Sequence, residues 1–309
     1  MIKNLKDEIK KDFLGKTKSR AIELKFLKNI SKSKLFISKK TGLVFHNDIR
    51  SSNEIVTYWS KKMYKNKMDP KKGLYTGNHP GMNSRHYYAI DFLSKKINLK
   101  NKSICDFACG EGGLLLKFKQ ILKSKKLFGV EHSNQNTKKI YKRFKKNKLS
   151  PPILYNDSIE KFNFRNLKLK KPFDVGTITW TLCACSEPLE VVKSMKSNLK
   201  KNGYLLVCES SRILVPFKKP IFNCFNPKLN CSGWTHPWYF TFNSLTNIFK
   251  YFGFEVVTHN RFFDEDNLVI LFKNSHKNKY DFKIDNYKNV ISFLKRWKKE
   301  SNYYLKYKS

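Results

Sequence analysis

Acidic residues are scarce in this chain: 24 Asp and Glu stand against 63 Lys and Arg, for a formal charge of +39. Such an imbalance ordinarily points to a polyanion, because clustered cations bind phosphates and release counterions. Arginine, the residue suited to bidentate phosphate or base-edge contacts, is scarcer still, at eight of the 63. The excess is lysine, alongside abundant Asn, Ile, Phe and Tyr, which share A/T-rich codons. Genome composition therefore accounts for much of the charge, and no specific nucleic-acid partner is expected, although the charge still favours an anionic substrate. Long apolar runs are absent as well. No segment could span a bilayer, and Met1–Arg20 lacks the apolar core of a secretory signal, so a cytoplasmic protein is expected. No Cys-x-x-Cys pair occurs among the seven cysteines, Cys105, Cys109, Cys183, Cys185, Cys208, Cys224 and Cys231. Their odd number and apolar settings read as buried free thiols in a reducing compartment, with no metal.

What is present is a core. Hydrophobic residues make up 40% of the chain, including 25 Phe and 15 Tyr, enough for one large domain with additions. Residues up to about Lys34 read as helical, with Ile22, Phe26, Leu27 and Ile30 at helical spacing. A hairpin follows: Leu35–Ser38, a turn around Lys39–Gly42, then Leu43–Phe45. A helix is predicted over Ser84–Lys95. From Lys102 short apolar runs alternate with helical segments, the pattern of a parallel sheet with crossover helices. The strands predicted are 103–107, 127–131, 153–156, 173–179 and 204–209. A helix over Pro188–Leu199 is expected to stop at Gly203, and another is expected between the N-cap Thr241 and Phe252. Runs 254–258 and 267–272 are close enough to pair antiparallel. The divisions expected are an extension over 1–83, a main α/β domain over 84–273 with an insertion at 212–240, and a Lys/Tyr-rich tail over 274–309. In that tail Val290, Ile291, Leu294 and Trp297 share one helical face.

The strongest local signal is Ile104-Cys105-Asp106-Phe107-Ala108-Cys109-Gly110-Glu111-Gly112-Gly113, an apolar strand, a small-residue turn and a helix start. Small residues let backbone approach a ligand, and a helix N-terminus offers unpaired N–H groups to a carboxylate or phosphate. Asp106 can accept hydrogen bonds from a cationic ligand or from its ordered neighbours. Nineteen residues past Gly112 the next strand ends in Glu131, placed to bind ribose hydroxyls. Asn156-Asp157-Ser158 closes the third strand, where Asp157 can accept from an adenine amino group or cap the following segment.

Together these residues resemble the class I S-adenosylmethionine (SAM)-dependent methyltransferases, over roughly Ser84 to Lys273. The resemblance implies a doubly wound α/β fold with helices on both faces of a seven-stranded sheet, its last strand antiparallel. It also implies SAM as cofactor. Asp106, Ala108, Gly110 and Gly112 match the family's acid–x–Gly–x–Gly–x–Gly loop, with Ala108 departing at the first glycine; Glu131 matches its ribose-binding acid and Asp157 its adenine-binding acid. Cys109, His132, Ser158 and Thr179 adjoin these positions and join the expected cofactor site, and Arg85 is placed to pair with the methionine carboxylate. A nicotinamide dehydrogenase would want a third glycine where Leu115 stands. Upstream, Ser38-Lys39-Lys40-Thr41-Gly42 is similar to the Cys-x-x-Cys-Gly knuckle of some sugar-modifying methyltransferases, with Ser38 and Thr41 in place of the cysteines.

The acceptor expected is a small anionic or sugar-linked molecule, such as a nucleotide sugar or glycan precursor. Its site is expected to use Trp180 after the fourth strand, and Trp234, Trp238 and Tyr239 in a lid formed by the insertion after strand five. His236 is the first candidate for a base, with His79 and His86 as rivals. Two other readings stay open: an RNA or DNA methyltransferase exploiting the charge, and a SAM-binding protein without catalysis.

Overall fold

The computed structural model describes residues 2–13, 21–31, 34–46, 48–58, 80–210, 213, 220–225, 236–260, 267–275 and 281–307. The chain opens with α1 (Ile2–Phe13), β1 (Ala21–Glu23), β2 (Leu35–Ser38), β3 (Val44–His46), α2 (Ser52–Thr57) and α3 (Pro80–Ser94). It continues through β4 (Ile104–Phe107), α4 (Gly113–Leu122), β5 (Leu127–Val130), α5 (Asn134–Lys146), β6 (Ile153–Tyr155), β7 (Phe173–Thr179), α6 (Pro188–Ser197) and β8 (Leu199–Ser210). The remaining elements are α7 (Ile221–Phe225), β9 (Trp238–Tyr239), α8 (Phe242–Tyr251), β10 (Phe254–His259), β11 (Asn267–Asn274) and α9 (Tyr287–Lys306).

Seven strands form one sheet in the order β10-β11-β8-β7-β4-β5-β6. β8, β7, β4, β5 and β6 run parallel, and β11 lies antiparallel between β8 and β10. The expected α/β architecture is therefore present. Strands β4 and β5 are buried at every residue, as a parallel sheet covered on both faces requires. On one face Phe107, Ile178 and Val207 pack with Ile9 and Phe13 of α1, Met195 of α6 and Phe249 of α8. On the other, Ile104, Val175 and Leu206 pack with Leu93 of α3, Phe118 of α4 and Phe144 of α5. Helix α8 starts at the predicted cap: the Thr241 side chain accepts from the Ser244 N–H, and Gly253 follows the helix at φ +81°.

Two expectations need correction. Ile22 to Ile30 is not one helix. Ala21–Glu23 pairs antiparallel with Phe36–Ser38, and only Lys25–Leu27 makes a 3-10 turn, so strand pairing overrides the local spacing. Helix α6 stops at Ser197 rather than running to Leu199, and β8 begins at Leu199, ahead of Gly203. The buried Asn198 side chain ends the helix, donating to the Ser194 and Phe162 carbonyls and accepting from the Phe164 N–H at 2.6 Å. Gly203 is needed for close approach instead: a Cβ there would stand 2.9 Å from the Lys200 carbonyl and 3.1 Å from that of Asp174.

A second, four-stranded sheet has the order β1-β2-β3-β9. The predicted hairpin is its centre. The Ser38 hydroxyl accepts from the Thr41 N–H at 3.4 Å, the Thr41 hydroxyl donates to the Asp12 carboxylate of α1, and Gly42 turns the chain at φ +76°. Strand β9, at the end of the 212–240 insertion, closes this sheet by pairing Trp238 with Phe45 and Tyr239 with Val44. Helix α9 lays Val290, Leu294 and Trp297 against Leu24, Leu27, Ile37 and Phe225, as its predicted apolar face requires. The Trp238 indole N–H donates to the Cys185 carbonyl at 2.7 Å, which seats the small sheet at the carboxyl end of β7.

Candidate active site at the strand tips

Strands β4, β5 and β6 pair in register, so their carboxyl ends lie side by side and hold up the loops that follow. After β4 the chain turns through three left-handed residues, Ala108 (φ +59°), Gly110 (φ +55°) and Gly112 (φ +72°). Gly112 has no room for a side chain, since a Cβ would meet Ile140 Cγ1 at 2.8 Å. Gly110 faces open space, with no atom within 4 Å of the same position. Glu131 ties this loop to β5. Its Oε2 accepts from the Gly110 N–H at 2.8 Å, and its Oε1 accepts from the Ser133 N–H at 2.9 Å and from Asn136 Nδ2 at 3.3 Å. Burial pushes this carboxyl up to about 6 against those three donors.

Asp106 takes the second of its two sequence roles. It is buried and accepts from the Thr177 hydroxyl at 2.6 Å, and burial raises its pKa to about 7. The Cys109 N–H donates to the Val130 carbonyl, and its thiol is packed against Gly129. At the tip of β6, Asp157 Oδ1 accepts from the Ser158 N–H at 2.7 Å, and that bond, with the nearby Lys161, holds the carboxyl below its ordinary range. His132 Nδ1 lies 3.9 Å from Asp157 Oδ1, within ion-pair range when the ring is protonated. Asn156 Nδ2 donates to the Glu131 and His132 carbonyls, at 2.8 and 3.1 Å, and clips the β5 and β6 tips together. The motif containing Asn156 was visible in the sequence; its bridging role was not.

Beyond β7, Thr179 is followed by Trp180 at φ +52°, a strained conformation for a bulky residue. Its N–H donates to the Cys208 carbonyl at 2.7 Å. The indole lies 5.9 Å from the His86 ring and 5.5 Å from the Arg85 guanidinium, both on α3. His86 is buried and packs on Gly113, the first residue of α4. Burial, then Arg143, Lys117 and Arg85, lower its pKa to about 4, so it is a neutral ring at pH 7 and a weak candidate for a base. Glu209, at the tip of β8, was missed. It is fully buried, accepts from the Leu182 N–H at 2.5 Å and the Cys183 N–H at 3.4 Å, and is pushed up to about 7 by burial. Its sequence signal was only an acid at a strand end.

The candidate base and stacking residues of the insertion lie in the small sheet. Trp238 is 1% exposed, with Phe13 at 5.1 Å and Phe45 at 6.3 Å, so its ring is a core element and not a stacking surface. Tyr239 is also buried, with its hydroxyl 3.0 Å from His46 Nε2. The expectation that these two aromatics line an acceptor pocket is corrected by the pairing of β9 with β3. His236 is half-buried beside His46, whose pKa burial and then His236 lower to about 3. His79 and Trp234 lie outside the described residues.

Known proteins share the fold that carries these tips. A family model described as a methyltransferase domain matches residues 84–259. None of the curated protein sequences matches the chain. Among solved structures, magnesium protoporphyrin IX methyltransferase from Synechocystis PCC 6803 with bound S-adenosylhomocysteine (SAH) is similar, with a TM-score of 0.53 and 12% identity. That match covers 72% of this chain and 100% of the other. The PH0226 protein from Pyrococcus horikoshii OT3 matches with a TM-score of 0.51 and 15% identity, over 69% of this chain and 98% of that one.

Proposed function

This chain belongs to the methyltransferase-domain family, and from that premise we propose that it transfers the methyl group of SAM to a small anionic or sugar-linked acceptor. The observation that carries the cofactor reading is the bond between Gly110 and Glu131. It presents an open glycine face beside a carboxylate that is already fixed in place by three donors and retains acceptor capacity for one hydroxyl. A ribose hydroxyl fits that carboxylate, and an adenine amino group fits Asp157, which stays ionised and partly exposed at the next tip. SAM supplies an electrophilic methyl group on a cationic sulfonium.

The work of the chain itself is largely positioning, which lowers the barrier of an in-line displacement. The left-handed loop at 108–112 keeps backbone close to the cofactor position, and Asn156 and Glu131 hold the three tips in one register. A hydroxyl acceptor also needs a proton acceptor. His236 is the better candidate than His86, because it is half-exposed on the segment anchored to the β7 tip through Trp238. The anionic class of acceptor draws its support from the charge of +39. The sugar-linked class draws its support from the hairpin at Ser38–Gly42. Incubating the protein with methyl-labelled SAM and a panel of nucleotide sugars tests the proposal: label should move to an anionic or sugar-linked compound. Transfer to RNA or DNA alone would overturn the acceptor class.

A further inference from the structure

Helix α9 lies beyond residue 259, where the match to the methyltransferase-domain model ends. It packs on the small sheet, which separates it from the core of the main sheet. Val44 and Tyr239 of the small sheet cluster with Val290, Leu294 and Trp297 of α9, whereas their neighbours Phe45 and Trp238 cluster with the main sheet. The inner face of α9 is therefore accounted for. Ser301 is the last of its described residues to be buried, and its hydroxyl accepts from the Ile221 N–H at 2.8 Å.

The outer face is built differently. Arg296, Lys299, Tyr303 and Lys306 recur at intervals of three and four residues, so they form one stripe, and they line a single surface groove. Tyr307 follows the stripe, with its ring 5.0 Å from that of Tyr303 and 5.6 Å from Lys306 Nζ. Tyr303 and Tyr307 are 67% and 64% exposed, more than any other large hydrophobic side chain among the described residues. Charge alone would not single out this face, because lysine is spread along the whole chain. The alternation of cations with bare aromatic rings does.

That alternation fits a strand of phosphates and bases. Cations along a groove track the backbone, and flat side chains offer surfaces on which bases stack whatever their sequence. The stripe runs about 15 Å from Arg296 to Lys306, at the rise of an α-helix. Bases paired in an A-form duplex are closed to such rings, so the strand is single. A lipid surface fits less well, because helices that lie in a membrane bury Leu, Phe or Trp, and the rings exposed on this face are tyrosines. We propose that the outer face of α9 is a docking surface for single-stranded nucleic acid, tolerant of sequence and separate from the methyl-transfer site. It does not depend on which acceptor takes the methyl group.

Fluorescence anisotropy of a labelled oligouridylate at physiological salt tests the surface, with duplex RNA of the same length as a comparison. Vesicles of phosphatidylcholine and phosphatidylserine, read by cosedimentation, make a third arm. Wild-type protein should bind the oligouridylate saturably and the duplex more weakly. Tyr303→Ala and Tyr307→Ala should each weaken that binding by roughly tenfold, the scale of one stacked base, and leave its salt dependence unchanged. Lys299→Ala combined with Lys306→Ala should instead flatten the slope of log affinity against log salt by roughly 1.4, the share of two phosphate contacts. All four side chains are exposed, so melting temperatures should stay at the wild-type value. Lys142→Ala combined with Lys145→Ala, exposed on α5, is the control and should leave binding nearly unchanged. Tyrosine variants that bind as wild type does, or losses matched by the control, would reduce the binding to diffuse charge and overturn the proposal. Tighter binding of the duplex would overturn it too. Binding to vesicles alone would assign the face to a membrane, and binding in no arm would leave it without this ligand; either result overturns the proposal.

Discussion

The carboxylate of Glu131, at the end of β5, accepts a hydrogen bond from the backbone N–H of Gly110, 21 residues earlier in the loop after β4, at 2.8 Å. Two features that the sequence shows only as separate motifs are thereby one rigid unit. The position of the loop depends on that acid, so changes to either partner should be felt at the other.

The left-handed turn makes opposite predictions for two small residues. Ala108 sits at φ +59°, where a Cβ carries a cost that glycine does not. Ala108→Gly should therefore be neutral or stabilising, by up to about 1 kcal/mol. Gly112→Ala should lower the melting temperature, because it adds strain at φ +72° and a contact with Ile140. Thermal melts of the two variants check the pair; a stabilised Gly112→Ala would contradict the description of the loop.

Glu209 predicts a pH effect. Its carboxyl is raised from 4.5 to about 7 by burial, so the folded protein holds this proton more tightly than the unfolded chain. Its stabilising contribution is complete below about pH 4.5 and is lost as pH rises through about 7. Glu209→Gln removes that titration. The melting temperature of the variant relative to wild type should rise between about pH 5 and pH 8. A difference independent of pH would mean that the group titrates normally.

Trp238 separates packing from acceptor binding. Its ring is buried against Phe13 and Phe45 and its N–H is bonded to Cys185, so Trp238→Ala should destabilise by about 3–5 kcal/mol. Denaturant unfolding measures this. A loss of under about 1 kcal/mol would return Trp238 to the list of acceptor-stacking residues.

For His236 the prediction is kinetic. With an acceptor in hand, His236→Ala should lower kcat by about 10²-fold or more and leave cofactor affinity unchanged, as loss of a general base does. Full turnover in this variant would end its candidacy and move the assignment to the upstream histidines His79 and His86.

Much of the fold was legible because its signals are local. Alternating apolar runs and helices marked the parallel sheet, Thr241 and Gly253 marked the ends of α8, and Asp106, Gly110, Glu131 and Asp157 fell at strand tips as their spacing required. What escaped the sequence depends on partners distant along the chain. Trp238 and Tyr239 looked like loop aromatics until β9 paired with β3, nearly two hundred residues away. Glu209 gained its role only from the turn at Leu182 and Cys183, beyond the end of the neighbouring strand. Ile22 was read as helical because its pairing with Ile37 cannot be seen in periodicity. His86 showed itself as a histidine close to the site, but its burial among cations on α4 and α5 sets its chemistry.

The proposed nucleoside-binding cradle for SAM is the Glu131–Gly110 unit. Calorimetric titration of SAH into wild-type protein and into Glu131→Ala is the test. Saturable one-to-one binding in the micromolar range is expected for wild type, weakened in the variant by roughly 1–3 kcal/mol as a ribose hydroxyl loses its acceptor. Absence of SAH binding to wild type, or undiminished binding to a folded Glu131→Ala protein, would contradict it.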